Sequence, residues 1–158
     1  MTPRSEEHSL SNDTKKENIL MKMVKQKKWS KALSFLMTDY GRDIVTHQDE
    51  FDNTLLHIAL GYQAPEDFLI KLIEIYPEAT QVKGVDDWLP LHVAAMWGCT
   101  ASVMEAIIRE YPDALDVAGE KGRTPRHFSK RFAHNTELLE RTTEEWLSLT
   151  RVKRQKSK

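Results

Sequence analysis

A period of 35 residues is the feature of this sequence that most constrains its fold. His57, His92 and His127 lie 35 residues apart. The tetrapeptide Tyr-Pro-Glu-Ala at 76–79 returns after the same interval as Tyr-Pro-Asp-Ala at 111–114. A period of this size predicts a repeated helical or mixed unit that cannot bury its apolar face alone and covers it with the next unit.

The apolar positions of each unit follow helical spacing. They fall at i, i+1, i+4 and i+5, which predicts one long amphipathic helix per unit. The three sets are Phe68, Leu69, Leu72 and Ile73; Val103, Met104, Ile107 and Ile108; and Leu138, Leu139, Thr142 and Thr143, followed by Trp146. We expect Thr100 to cap the second of these helices and Asn135 or Thr136 to cap the third. Pro77 and Pro112 should end the first two.

A shorter helix precedes each long one. It begins at Thr54, at Leu89 and at Thr124, and each start follows a turn-like stretch rich in Asp or Gly. A threonine caps such a helix, and a proline after it has its φ angle already set. Asp52, Asp87 and Gly122 fall at the bend of the turn, where left-handed backbone is tolerated by Gly and Asp. The unit is therefore a turn, a short helix, a long helix and a loop.

Residues 89–94 and 122–127 resemble the T-P-L-H-x-A signature of ankyrin repeats. The resemblance covers roughly residues 42–150 and implies an all-α, ankyrin-like solenoid of helix-turn-helix repeats with β-turn fingers. It also implies that each histidine bonds backbone groups that tie its turn to the next one. Leu55, Leu89 and Arg126 depart from the signature. The signature positions are Thr54, His57, Pro90, His92, Thr124, Pro125 and His127.

The ends of the array are predicted to differ from its interior, because terminal repeats need a polar outer face. We expect a disordered tail over residues 1–15 and a degenerate N-terminal capping helix pair over 16–40. Repeats then occupy 41–151, at about 49–83, 84–118 and 119–151. The basic residues 152–158 form a second disordered tail.

Catalytic and metal-binding patterns do not emerge from the residues. The histidines recur at one place in the repeat, which explains them structurally, and their spacings match no familiar zinc site. Cys99, the single cysteine, is expected to be a small buried residue. We find no phosphate loop and no nucleophile motif in the sequence. The sequence therefore predicts a non-enzyme without metal or cofactor.

The resemblance implies a binding surface on the concave face, formed by turn tips and the exposed side of each short helix. Aromatic residues, Met and Arg, which are enriched in the cores of protein interfaces, collect at these positions. We expect Trp88, Trp97 and Tyr62 at its centre, with Arg123 and Arg131 favouring acidic groups at one end. The predicted partner-binding residues are Phe51, Asn53, Tyr62, Trp88, Met96, Trp97, Arg123, Arg131 and Phe132.

These features predict a protein–protein interaction module, a scaffold or adaptor that is a monomer on its own. Without the five basic residues of the last eight, the chain carries 18 basic and 24 acidic side chains, which argues against a nucleic-acid groove. No apolar run is long enough to cross a membrane, and no secretory signal is evident. We therefore expect a cytoplasmic protein, with the nucleus as the alternative location. The alternative function is a nuclear regulatory ankyrin protein whose basic tail directs import or contacts nucleic acid.

Overall fold

The structure is a computed structural model that describes residues 17–156. This part of the chain is all-helical, as the sequence predicts, and contains no strand. Its nine α-helices are α1 (Ile19–Lys25), α2 (Trp29–Leu36), α3 (Asp39–Ile44), α4 (Leu55–Gly61), α5 (Glu66–Ile75), α6 (Pro90–Trp97), α7 (Ala101–Glu110), α8 (Ala133–Glu140) and α9 (Thr143–Lys156). Short 3₁₀ segments join them at Pro77–Gln81, Val85–Asp87, Pro112–Asp116, Glu120–Gly122 and Pro125–Phe128.

The two long helices α5 and α7 form as the apolar spacing predicts. Thr100 caps α7, since its Oγ1 accepts the Val103 N–H at 3.4 Å. Both helices end just before the Tyr-Pro pairs, at Ile75 and Glu110, because a proline cannot continue the hydrogen-bond ladder. Their apolar stripes are buried: Phe68, Leu69, Leu72 and Ile73 in α5, and Val103, Met104, Ile107 and Ile108 in α7.

The helices contact one another in two series. The short helices α1, α4 and α6 and the segment Pro125–Phe128 touch in that order. Helices α5, α7 and α8, each of which follows the short helix or short segment of its unit, touch in a second series, and the Trp29 ring of α2 lies 6.0 Å from that of Phe68. A continuous core of buried apolar side chains runs between the two series, so the apolar stripes stabilise the neighbouring pair as well as their own.

The third unit differs from the expected continuous long helix. Residues 133–140 and 143–156 form two helices instead of one, and Trp146 is fully buried in the second. The N-cap of α8 is Phe132, so Asn135 and Thr136 lie inside the helix and do not cap it. The short helix of this unit is only a 3₁₀ turn, Pro125–Phe128.

Arg126 explains the break between α8 and α9. Its guanidinium donates to the carbonyls of Leu139 at 2.6 Å and Arg141 at 2.8 Å, and to Asp116 Oδ1 at 2.8 Å. Thr143 Oγ1 donates to the other Asp116 oxygen at 2.6 Å. A cation at the carbonyl end of a helix satisfies groups that a continuing helix would otherwise bond. Arg126, which stands where the signature has leucine, thus stabilises the interruption between α8 and α9.

The two ends of the described chain correct two further expectations. A third helix, α3, follows the predicted helix pair, and Thr38 Oγ1 caps it by accepting the Gly41 N–H at 3.0 Å. Residues 152–156, which the composition assigns to a disordered tail, continue α9 to Lys156. The basic side chains suit this position because they face the negative end of the helix dipole. Residues 1–15 lie outside the described part of the chain.

Candidate partner-binding surface

Three turns of the same geometry present the predicted tip residues. In turns 49–53, 84–88 and 119–123 the first residue donates its N–H to the carbonyl of the last, at 2.9, 2.8 and 2.8 Å. Asp52, Asp87 and Gly122 take positive φ angles of 64°, 56° and 70°. The expected left-handed bend is therefore confirmed at all three positions. Gly and Asp are used there because most other side chains strain in this conformation.

Histidines tie the first two turns to the next ones, as the resemblance implies. His57 Nδ1 accepts the Thr54 N–H at 3.1 Å, and its Nε2 lies 2.8 Å from the Trp88 carbonyl, to which it donates. His92 repeats this arrangement with the Leu89 N–H at 3.0 Å and the Arg123 carbonyl at 3.1 Å. Burial lowers the pKa of His57 to about 4 and lowers that of His92. Both rings are therefore neutral at pH 7, and both of their nitrogens are engaged.

His127, the third histidine, has a different environment. Its Nδ1 accepts the Thr124 N–H at 2.9 Å, so the link within its own turn is kept. The ring is exposed, and no carbonyl within residues 17–156 bonds its Nε2. The turn-to-turn tie is thus present for two of the three signature histidines.

Three of the predicted partner-binding aromatics are exposed. Phe51 is 58% exposed, Tyr62 39% and Trp97 50%; we call these residues the exposed aromatic set. Tyr62 and Trp97 end the neighbouring helices α4 and α6, where Gln63 Nε2 donates to the Trp97 carbonyl at 3.4 Å. Phe51 lies before the other end of α4. The structure therefore places the backbones of Tyr62 and Trp97 at neighbouring helix ends and leaves Phe51 one helix length, roughly 10 Å, away.

The remaining predicted aromatics are half-buried. The Trp88 ring lies 5.7 Å from the His92 ring, nearly parallel to it, and 5.7 Å from that of Phe128. A Cβ at Gly119 would come within 2.6 Å of Trp88 Cδ1. The Trp88 side chain thus packs between successive turns, and only part of it is available to a partner.

The other predicted contact residues divide between structural and exposed positions. Asn53 is half-buried, and its Oδ1 accepts the Val85 N–H at 3.1 Å, which joins the first turn to the second. Met96 is half-buried at the end of α6. Arg123 and Arg131 are exposed. The Arg131 guanidinium lies 5.9 Å from the ring centre of half-buried Phe132.

Sequence reasoning missed a groove beside Trp97. It has a volume of about 370 Å³ and lies where the α4–α5 loop, the α6–α7 loop and the start of α8 meet. Its lining residues are Leu60, Gln63, Ala64, Glu66, Leu69, Trp97, Gly98, Cys99, Thr100, Val103, Phe132 and His134. We call it the Trp97 groove. Gly98 was the available signal, because glycine permits a close approach of another chain segment, and a Cβ at this position would lie 2.9 Å from the Phe132 ring.

Cys99 lines this groove without the properties of a reactive thiol. It is half-buried, and burial raises the pKa of its thiol to about 12. A thiol that stays protonated at pH 7 is a poor nucleophile and a poor metal ligand. Its carbonyl accepts two hydrogen bonds, from His134 Nε2 at 2.9 Å and Asn135 Nδ2 at 3.0 Å. Its backbone thus has the clearer structural role.

Residues 17–156 lack two further kinds of functional feature. No group of three or more His, Cys, Asp or Glu side chains is arranged to hold a metal ion. No helix in this part of the chain is long and apolar enough to cross a membrane. Comparison with known proteins gave no match to a family model, to a curated protein or to a solved structure.

Proposed function

We propose that this chain is an ankyrin-type stack of helix pairs. Three regularities support the proposal: the 35-residue period, the left-handed residue at the same place in each turn, and the histidine bonds that join each of the first two turns to the next. The order of contacts between short helices, and separately between long helices, agrees with a linear array. In this arrangement α1–α3 cover the N-terminal end, and α8 and α9 cover the C-terminal end.

The function we propose for the stack is non-catalytic: a scaffold or adaptor that holds another protein on its concave face. The observation that carries this proposal is the exposure of Phe51, Tyr62 and Trp97. Exposed apolar side chains mark binding surfaces where several share one face, and Trp and Tyr are prominent among the residues that dominate binding energy. The engagement of both His57 and His92 nitrogens by the backbone supports a structural use of the histidines.

Within this surface the residues divide by role. Tyr62 and Trp97 form its apolar centre, at neighbouring helix ends. Arg123 and Arg131 are exposed on the third unit and favour acidic groups there. Trp88 contributes one edge of its ring to the binding surface, while the rest of the ring packs between two turns. In this proposal the chain acts as a monomer and needs no cofactor.

The proposal is tested by capture of proteins from a cell extract on immobilised full-length chain. We compare wild type with the double variant Phe51→Ser, Trp97→Ser. The matched control is Tyr40→Ser, which removes another aromatic, 61% exposed, from α3. Proteins retained by wild type and by the control, but lost from the double variant, support this surface. Equal retention by all three proteins would exclude it.

A second candidate function comes from the basic end of α9. Arg151, Lys153, Arg154 and Lys156 are exposed on helical residues beyond buried Trp146. Clustered positive charge can serve nuclear import or contact with nucleic acid, so the chain would act in the nucleus instead of the cytoplasm. Deletion of residues 151–158 tests this candidate. Unchanged cellular location and unchanged partner binding would dismiss it.

A further inference from the structure

The Trp97 groove is held open by three hydrogen bonds from side chains to backbone. Gln63 Nε2 donates to the Trp97 carbonyl at 3.4 Å on one side. His134 Nε2 and Asn135 Nδ2 both donate to the Cys99 carbonyl on the other, at 2.9 and 3.0 Å. These bonds connect three helix pairs around one cavity. A preformed cavity lowers the entropic cost of binding, since its walls need no ordering when a ligand enters.

The interior of the groove suits an apolar group. Its walls are the side chains of Leu60, Leu69, Val103 and Phe132, with Trp97 over one edge. The amide nitrogen of Gln63 and the Nε2 of His134 already bond to backbone carbonyls. Few uncommitted polar groups therefore face the cavity. Its volume of about 370 Å³ is near the small end of the ~300–1,000 Å³ range of ligand sites, which fits a large side chain of a polypeptide.

The rims of the groove carry opposite charges. Glu66 is exposed on the side of the α4–α5 loop and has Asp67 as its neighbour. Phe132 lines the groove from a different helix pair than Glu66, and exposed Arg131 holds its guanidinium 5.9 Å from the Phe132 ring, with Lys130 before it in the chain. Complementary charges steer association and fix the direction in which a segment binds.

We propose that the Trp97 groove receives one apolar side chain of a partner polypeptide, whose segment carries a basic residue on the Glu66 side and an acidic residue on the Arg131 side. This inference rests on the proposed function and specifies the partner's chemistry at one part of the surface. It also specifies a direction, because the reversed segment would place like charges together at both rims.

The experiment selects random peptides displayed on phage against the full-length chain, and then measures a selected peptide by fluorescence polarisation. The expected selected sequence has a large apolar residue between a basic and an acidic one. Trp97→Ala should weaken its binding about tenfold, and Arg131→Glu and Glu66→Lys about threefold each. Replacing the acidic peptide residue with Lys should restore binding to Arg131→Glu. Tyr40→Ala and Glu78→Lys, exposed but outside the groove, should leave the affinity unchanged.

Phe51→Ala separates this inference from the proposed function. Phe51 belongs to the exposed aromatic set but does not line the groove. Binding that depends on Phe51 and not on Trp97, Glu66 or Arg131 would overturn the inference and leave the concave face in place. Peptides insensitive to all four positions would overturn both, and selection of no peptide would overturn the inference. Failure of the charge exchange to restore binding would refute the proposed direction.

Discussion

His57 Nε2–H donates to the carbonyl of Trp88 at 2.8 Å, across an interval of 31 residues. The other ring nitrogen accepts the Thr54 N–H at 3.1 Å, so only the neutral ring with its proton on Nε2 makes both bonds. The ring joins the first turn to the second and is only 4% exposed. A proton added to Nδ1 would remove the acceptor and place an uncompensated charge in the core.

The first prediction concerns pH. Burial lowers the pKa of His57 to about 4 in the folded chain, whereas the unfolded chain binds the proton near the ordinary value of about 6.5. Between these values the unfolded state takes up a proton and the folded state does not. The free energy of unfolding should therefore fall as the pH drops from about 6.5 to 4, by on the order of 3 kcal/mol from this residue.

Urea unfolding at several pH values measures this loss, and His57→Gln is the informative variant. The Gln amide can still donate to the Trp88 carbonyl but does not titrate. Its unfolding free energy should be lower at pH 7 and should depend less on pH below 6.5. Burial also lowers the pKa of His92. Part of the dependence of the unfolding free energy on pH therefore remains in the variant. A pH dependence identical to that of wild type would show that His57 does not carry the effect.

The second prediction compares two glycines in short helices. A Cβ at Gly41 would overlap the Phe35 carbonyl oxygen, a backbone atom that cannot move alone, whereas a Cβ at Gly61 meets nothing within 4 Å. Gly41→Ala should cost about 2 kcal/mol or more through steric overlap. Gly61→Ala should stabilise the chain by about 0.5–1 kcal/mol, because alanine loses less backbone entropy in a helix. Thermal unfolding of the two variants should give shifts of opposite sign, and shifts of the same sign would refute this packing.

The inner repeats could be predicted from the sequence because their signals are local and agree with one another. The spacing of Phe68 and Leu72 gives the helix period, Thr100 gives a start, and Pro77 and Pro112 give ends. The same is true of the turns, where a left-handed residue is required and Asp or Gly supplies it. Side-chain chemistry and position determine these features without information from distant residues.

The features that sequence reasoning missed depend on contacts far apart in the chain. The break after α8 follows from Arg126, which reaches carbonyls 13 and 15 residues away. The Trp97 groove follows from His134 and Asn135, which bond a carbonyl in the preceding unit. The half-burial of Trp88 depends on Phe128 and on the absence of a side chain at Gly119. A repeat pattern assigns such residues to a face but does not give the depth to which each is buried.

The third prediction concerns Arg126→Lys. Lysine keeps the charge but cannot reach Asp116 and the carbonyls of Leu139 and Arg141 together, because it lacks the planar fork of the guanidinium. We expect a loss of about 1–2 kcal/mol in unfolding free energy and faster amide hydrogen exchange at the α8–α9 junction. The hydrogen bond from Arg126 holds the pKa of Asp116 below its ordinary value, so this pKa should rise in the variant. Arg123→Lys, at an exposed position, is the control. Unchanged amide hydrogen exchange at the junction would show that Arg126 does not stabilise the interruption between α8 and α9.

The fourth prediction separates packing from binding at two tryptophans. Trp88 lies between the rings of His92 and Phe128, while Trp97 is 50% exposed. Trp88→Ala should therefore lower the unfolding free energy by about 2 kcal/mol, roughly half the cost of truncating a fully buried tryptophan. Trp97→Ala should lower it by less than about 1 kcal/mol. Any selected peptide should bind in the opposite order, more weakly to the Trp97 variant than to the Trp88 variant.

The measurement combines urea unfolding with peptide affinity on the same two proteins. Far-ultraviolet circular dichroism should show retained helicity in both, since neither ring supplies a backbone bond. Gly119→Ala offers an independent check on Trp88, because its Cβ would displace that ring without changing it. It should reproduce part of the stability loss of Trp88→Ala. If Trp97→Ala proved the more destabilising of the pair, Trp97 would be a packing residue, and the exposed aromatic set would lose its central member.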